Sequence, residues 1–303
     1  MPAPVKLIAI DIDGTLLPSV GGQISGRTGQ ALLEAQAAGI ELVIATGRRQ
    51  AYAAPLLLPI GLKPETVLIT SNGTVTRTLA GRRIARFFLP VETARWLCQA
   101  LRQFGGMTVF TFDREVPGEL VLESIDRLNR ISPWVQANRP SIQELKPLEA
   151  AFDDGHPPVQ GMLCGTVAAM RDAEAWLAAS ECAEKIELHR TEYPTRDLSI
   201  LDILPSGCSK GVALEKVAAL QGIAREEVMA IGDNFNDLEM LNFAGRAVVM
   251  ANSAPDLLQI AREQGWQIAA TNDEDGVAQV VESVLGAAGV QFAERLSIET
   301  PAW

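Results

Sequence analysis

Asp11 and Asp13 are the residues of this sequence best placed to do chemistry, because they sit two apart at the end of an apolar run. The stretch up to Ile10 reads as a strand buried on both faces, of the kind found inside parallel sheets. Residues two apart on a strand share a side, so the two carboxylates meet where the strand leaves the sheet. Like charges that close call for a shared proton, a basic partner or a metal ion. Behind them Gly14 permits a sharp turn and Thr15 offers a hydroxyl.

Three further groups have the same character. Thr46-Gly47-Arg48 follows the short apolar run Glu41 to Ala45, and Gly232-Asp233-Asn234-Phe235-Asn236-Asp237 follows Val228 to Ile231. Lys210 lies in the first turn of a helical stretch, Ser209 to Leu220, where a cation faces the positive end of the helix dipole; a bound anion would reverse that penalty. A hydroxyl and a free backbone amide at Thr46 and Gly47 suit a phosphate oxygen. Asp233 and Asp237 bring two more carboxylates, so a divalent cation is expected, and all-oxygen ligands indicate Mg2+ rather than zinc. A cation, a lysine, a hydroxyl, backbone amides and a nucleophilic carboxylate form an inventory for phosphoryl transfer, with Asp13 able to protonate a leaving alcohol and later activate water.

These groups need a scaffold that gathers strand ends. A strand, helix, strand, helix, strand order runs from Val5 to Thr70, with Ser25 capping the first helix and Pro55 interrupting the second. Ser71-Asn72-Gly73 is a turn signal, and a hairpin follows over Val75 to Thr78 and Arg82 to Phe87. The middle third reads as a separate α+β unit with short strands and helices, one of them near Ser124 to Ile131. The first pattern returns at Leu198 to Leu204 and ends with a helix from Gly276 to Leu285. The expected fold is therefore α/β, a doubly wound, mostly parallel sheet interrupted by an inserted domain. The boundaries are 1–85 and 193–303 for the discontinuous core and 86–192 for the insertion. Ligands of such sheets bind outside the carboxyl ends of the strands, where all four polar groups fall.

Composition narrows the partners. The chain has 303 residues and a net charge of −11, with no basic stripe to meet phosphates, which argues against nucleic acid or a membrane surface as partner. The four cysteines form no CxxC pair or disulfide-dense pattern and read as reduced thiols, so a cytoplasmic location is expected. The acidic pair cuts the first apolar run too short for a signal peptide, and no apolar stretch is long enough to span a membrane.

Taken together, Asp11-Ile12-Asp13-Gly14-Thr15-Leu16-Leu17, Thr46-Gly47-Arg48, Ser71-Asn72-Gly73, Ser209-Lys210-Gly211 and Gly232 to Asp237 resemble the ordered motifs of the haloacid dehalogenase-like superfamily, Cof-type phosphatase branch. The resemblance implies that Asp11 is the nucleophile and Asp13 the general acid and base. It implies magnesium held by the Asp11 side chain, the Asp13 backbone carbonyl and the Asp233 side chain, with Asp237 supporting the metal shell. Phosphate contacts carry over to the Ile12 backbone, Thr46, Gly47, Lys210 and Asn236, with Arg48 and Asn72 in support. The inserted segment would be a cap, and Arg127, Arg130, Arg139 and His156 are its weak specificity candidates. Met250-Ala251-Asn252 stands where the family often has glycine before the asparagine. The expected activity is phosphate removal from a small phosphorylated metabolite such as a sugar phosphate. A phosphomutase and a non-catalytic binding protein are the alternatives, because a shared fold does not fix a substrate.

Overall fold

Four consecutive residues with no exposed surface, Leu7–Ile10, form β1 at the centre of an eight-stranded sheet in the computed structural model. Residues 3–114, 118–125, 131–193 and 196–298 are described, with side chains as far as residue 287. Parallel to β1 run β2 (Glu41–Ala45) and, beyond it, β3 (Val67–Thr70). Between β1 and β2 lies α1 (Gly26–Ala37), capped by the Ser25 hydroxyl, which accepts from the Thr28 amide at 3.0 Å. α2 (Gln50–Leu57) connects β2 to β3. It runs through Pro55 rather than breaking there and tightens into a 3-10 turn only at Leu58–Ile60. Proline removes one N–H, and the helix ends shortly after that loss. The hairpin β4 (Val75–Thr78) and β5 (Arg83–Arg86) turns at Gly81, whose φ of 93° suits glycine.

The chain divides into two compact units: residues up to Arg83 with those from Lys210 onward, and Ile84–Ser209. The second unit holds β6 (Met107–Thr111), β7 (Leu120–Leu122), β8 (Ile142–Glu144), β9 (Gln160–Gly165), β10 (Ile186–Tyr193) and β11 (Leu198–Pro205), in the sheet order β10-β11-β9-β6-β7-β8. Its helices are α3 (Val91–Ala100), α4 (Ser132–Asn138) and α5 (Val167–Ala178). Phe110, Phe152, Leu97, Leu163 and Leu201 form the core on one side of this sheet.

Leu198 to Leu204 was expected to reopen the first sheet after a boundary at 193, but β11 pairs antiparallel with β9 and β10, and the first unit resumes at Lys210. The connection from Tyr193 to Leu198 is too short for the crossover that a parallel neighbour requires, so a hairpin is the geometry available. α4, with a proline in its first turn, was not anticipated. The helix expected near Ser124 to Ile131 lies largely outside the described residues, as do Arg127 and Arg130.

From Lys210 the first unit continues with α6 (Lys210–Leu220), β12 (Val228–Gly232), α7 (Leu238–Phe243), β13 (Arg246–Met250), α8 (Pro255–Glu263), β14 (Gln267–Ala269) and α9 (Gly276–Ile298). α9 extends past the Leu285 end read from the sequence. β12 pairs with β1 on the side opposite β2, giving the order β14-β13-β12-β1-β2-β3-β4-β5. The chain thus winds away from β1 in both directions, which opens a crevice at the carboxyl end of that strand. Among the described residues no helix is long and apolar enough to cross a membrane.

Candidate active site

Every polar group singled out in the core sequence is at the carboxyl edge of the first sheet. Asp11 follows β1, Thr46 follows β2, Ser71 follows β3 and Asp233 follows β12, while Lys210 is the first residue of α6. Asp11 stays in register because its amide donates to the Ile231 carbonyl at 3.0 Å. Glycine is required at two points here. Gly14 has φ +80°, and a Cβ on it would lie 2.2 Å from an Asp233 carboxylate oxygen. Gly211, beside Lys210, has no room either, since its Cβ would lie 2.6 Å from the Glu239 carbonyl carbon. Such close approach draws α6 against α7 and delivers the lysine.

Lys210 is 1% exposed, and its Nζ lies 2.6 Å from Asp11 Oδ1 and 2.6 Å from Asp237 Oδ1. Burial alone would lower the lysine pKa; the two carboxylates outweigh it and hold the ammonium above its usual value. The other Asp237 oxygen accepts from the Asp233 and Asn234 amides, each at 3.1 Å, so Asp237 ties the loop to the lysine. Asp233 accepts from the Thr15 hydroxyl at 3.1 Å. Carboxylate oxygens of Asp11, Asp233 and Asp237 all lie within 4.8 Å of one another. Burial, then the neighbouring carboxylates, push Asp11 well above the usual carboxylate range; burial and Asp237 push Asp233 up to about 7. A pocket that disfavours its own negative charge is one that a cation relieves.

Asp13 behaves differently. Its carboxylate is 56% exposed and takes a two-pronged contact from Arg48, Nε to Oδ2 at 2.7 Å and Nη2 to Oδ1 at 2.5 Å. Arg48 is further held over the Tyr52 ring at 4.6 Å. The Thr46 hydroxyl accepts from the Arg48 amide at 3.1 Å, and the Thr46 carbonyl accepts from the Asn72 amide at 3.1 Å. Asn72, buried and left-handed at φ 53°, accepts from Asn236 Nδ2 at 3.2 Å. A Cβ at Gly47 would lie 3.1 Å from the same Asn72 oxygen. Loops after β2, β3 and β12 are therefore linked around one edge. The Ile12 side chain is buried, and its carbonyl accepts from the Leu17 amide at 2.9 Å.

Three side chains make contacts here that sequence spacing alone does not show. Arg48 and Asn72 are expected as supports of the phosphate site, but spacing does not reveal that Arg48 contacts Asp13 and Asn72 contacts Asn236. Asn252, which lies outside the five motifs, reaches the same edge, its side-chain amide donating to the Gly14 carbonyl at 2.8 Å. Of the described weak candidates in the second unit, Arg139 and His156 are exposed, and Arg139 faces Glu144 at 3.5 Å.

A family model described as haloacid dehalogenase-like hydrolase matches residues 8–281. Phosphatase YwpJ of Bacillus subtilis is 30% identical, over 93% of this chain and 100% of that protein. The 5-amino-6-(5-phospho-D-ribitylamino)uracil phosphatase YwtE of Bacillus subtilis is 29% identical, over 93% of this chain and 98% of that one. Among solved structures, a haloacid dehalogenase-like hydrolase from Bacteroides thetaiotaomicron superposes with a TM-score of 0.76 at 29% identity, covering 92% of this chain and 99% of that chain.

Proposed function

We propose that this chain, which belongs to the haloacid dehalogenase-like hydrolase family and is a phosphatase, cleaves a small phosphomonoester with Asp11 as nucleophile and Asp13 as acid and base. The observation that carries this reading is the cluster of Asp11, Asp233 and Asp237 around buried Lys210 at the head of the central strand. A carboxylate oxygen of Asp11 attacks phosphorus and forms an acyl phosphate, while the ester P–O bond breaks and the leaving oxygen takes a proton from Asp13. Water then attacks the same phosphorus and gives its proton to Asp13, and the acyl phosphate P–O bond breaks. Phosphate departs, and both carboxyl groups return to their starting states.

The surrounding residues support those steps. Lys210 favours the ionised, nucleophilic form of Asp11 against the cost of burial. Arg48 holds Asp13 in place, and more than half of that carboxyl's surface stays open to a leaving group and to water. Thr46, Gly47, Asn236 and the Ile12 backbone hold the phosphoryl oxygens. The donor set also fits a divalent cation. The Asp11, Asp233 and Asp237 carboxylates gather around one buried cation, Lys210, and their mutual repulsion is what a bound cation would relieve. The Asp11 and Asp233 side chains with the Asp13 carbonyl would hold Mg2+, supported by Asp237. Bound there, it supplies positive charge to the phosphoryl oxygens.

A sugar phosphate or similar phosphomonoester is the proposed substrate class, in keeping with the phosphoribityl compound in one relative's name. The test is phosphate release from a panel of phosphorylated metabolites with magnesium. Activity is expected with at least one compound, to be lost in excess chelator and restored by added magnesium. Asp11→Asn is expected to abolish it without loss of fold. Near-parental turnover in that variant would remove Asp11 as nucleophile.

A further inference from the structure

Asn252 and Asn272 belong to none of the motifs that carry the proposed chemistry, yet they grip the turn that follows Asp13. Asn252 stands in the loop after β13, and Asn272 in the loop after β14. The Asn252 side-chain amide donates to the Gly14 carbonyl at 2.8 Å, and its oxygen accepts from the Asn272 backbone amide at 3.0 Å. The Asn272 side chain, only 8% exposed, donates to the Leu17 carbonyl at 2.8 Å and reaches the Ser19 hydroxyl at 3.5 Å. Both peptide carbonyls lie in the few residues after Asp13, and Leu17 forms an isolated bridge back to Asp13.

That turn governs two groups at once. Gly14 lies against the Asp233 carboxylate so closely that a Cβ would collide with it, and the Thr15 hydroxyl donates to Asp233. A shift of the turn therefore moves the backbone of Asp13 and removes the support of Asp233 together. Its upstream end is fixed by β1, and its downstream end is held by side chains from the loops after β13 and β14, at the same edge of the sheet beyond β12. An amide is suited to this work because it donates and accepts at the same time, so one side chain couples the two loops.

We infer that Asn272 and Asn252 are positioning residues for phosphoryl transfer, a paired amide tether that sets the Gly14–Leu17 turn and through it Asp13 and Asp233. The inference rests on the phosphatase reading of the site. Misplacing a reacting group by about 1 Å costs on the order of a hundredfold in rate. The tether thus acts on turnover more than on substrate affinity.

The test compares Asn252→Ala, the isosteric Asn272→Asp and the double variant with the parent, measuring kcat, KM, Tm, and deuterium exchange of peptides covering 7–19 in metal-free protein. Each single variant is expected to lower kcat by about tenfold to a hundredfold with KM within roughly threefold of the parent. The double variant is expected to be no slower than the worse single one, as for residues acting as a unit. Exchange should rise over 13–19 and stay unchanged in β1. Values of kcat within about twofold of the parent, or losses that add in the double variant and follow Tm, would overturn the inference. Unchanged exchange at the turn would do so as well, whatever the kinetics. An inactive parent would overturn the phosphatase reading and the catalytic half of the inference with it; an active parent with unaffected asparagine variants would overturn the inference alone.

Discussion

At the scale of single residues, Lys210 decides whether the acidic pocket can exist in the folded chain. Its ammonium is the buried partner of two buried carboxylates, so Lys210→Met leaves Asp11 and Asp237 without that charge. Breaking a buried pair in this way costs about 3–5 kcal/mol. A clearly lower Tm together with lost turnover is expected, and parental values for both would return Lys210 to a bystander role. Asp233 gives a pH-dependent prediction. Burial and Asp237 raise its pKa in the folded chain to about 7, against about 4 when unfolded. A carboxyl shifted upward contributes stability that is fully present below its unfolded pKa and lost as pH rises through its folded one. In metal-free protein, the Tm of the parent should therefore fall relative to that of Asp233→Asn as pH rises from about 4 to about 8. Calorimetry in chelator measures this, and parallel Tm profiles would contradict it.

At the scale of elements, the contact between α6 and α7 delivers the lysine, and Gly211 permits it. A methyl group there would meet the Glu239 backbone at 2.6 Å. Gly211→Ala should destabilise the protein by about 1–3 kcal/mol, as overpacking does, and should lower turnover because Lys210 moves with its helix. A variant with parental Tm and kcat would mean that the helices have slack. The strands beneath the site were legible for a plain reason: β1, β2, β3 and β12 are short apolar runs that each end in a polar group, and burial on both faces leaves no other reading. β11 was misplaced because an apolar run carries no mark of its neighbours, and only the short connection to β10 hinted at antiparallel pairing. Asp11, Asp13, Lys210, Asp233 and Asp237 were legible because their types are costly at those positions without a chemical reason. The contacts from Arg48 to Asp13, from Asn236 to Asn72 and from Asn252 to Gly14 were not, since each joins segments far apart in sequence whose meeting depends on strand order.

At the scale of the whole molecule, the first unit contains every residue to which a chemical role is assigned, drawn from both sides of the inserted Ile84–Ser209. Substrate selection among relatives of this family is not fixed by such a core, because one fold hosts many substrates. The overall charge of −11 repels anions at a distance. An anionic substrate must therefore be captured locally, where Lys210, a bound cation and the loop amides concentrate positive charge. The claim on which the whole account depends is that phosphorus is carried by Asp11 during turnover. Acid quenching of the working enzyme, borohydride reduction and peptide mapping test it directly. An aspartyl phosphate at Asp11 would be reduced to homoserine at that position in the parent and not in Asp11→Asn. Reduction at a different carboxylate, or none while phosphate is being released, would contradict the account.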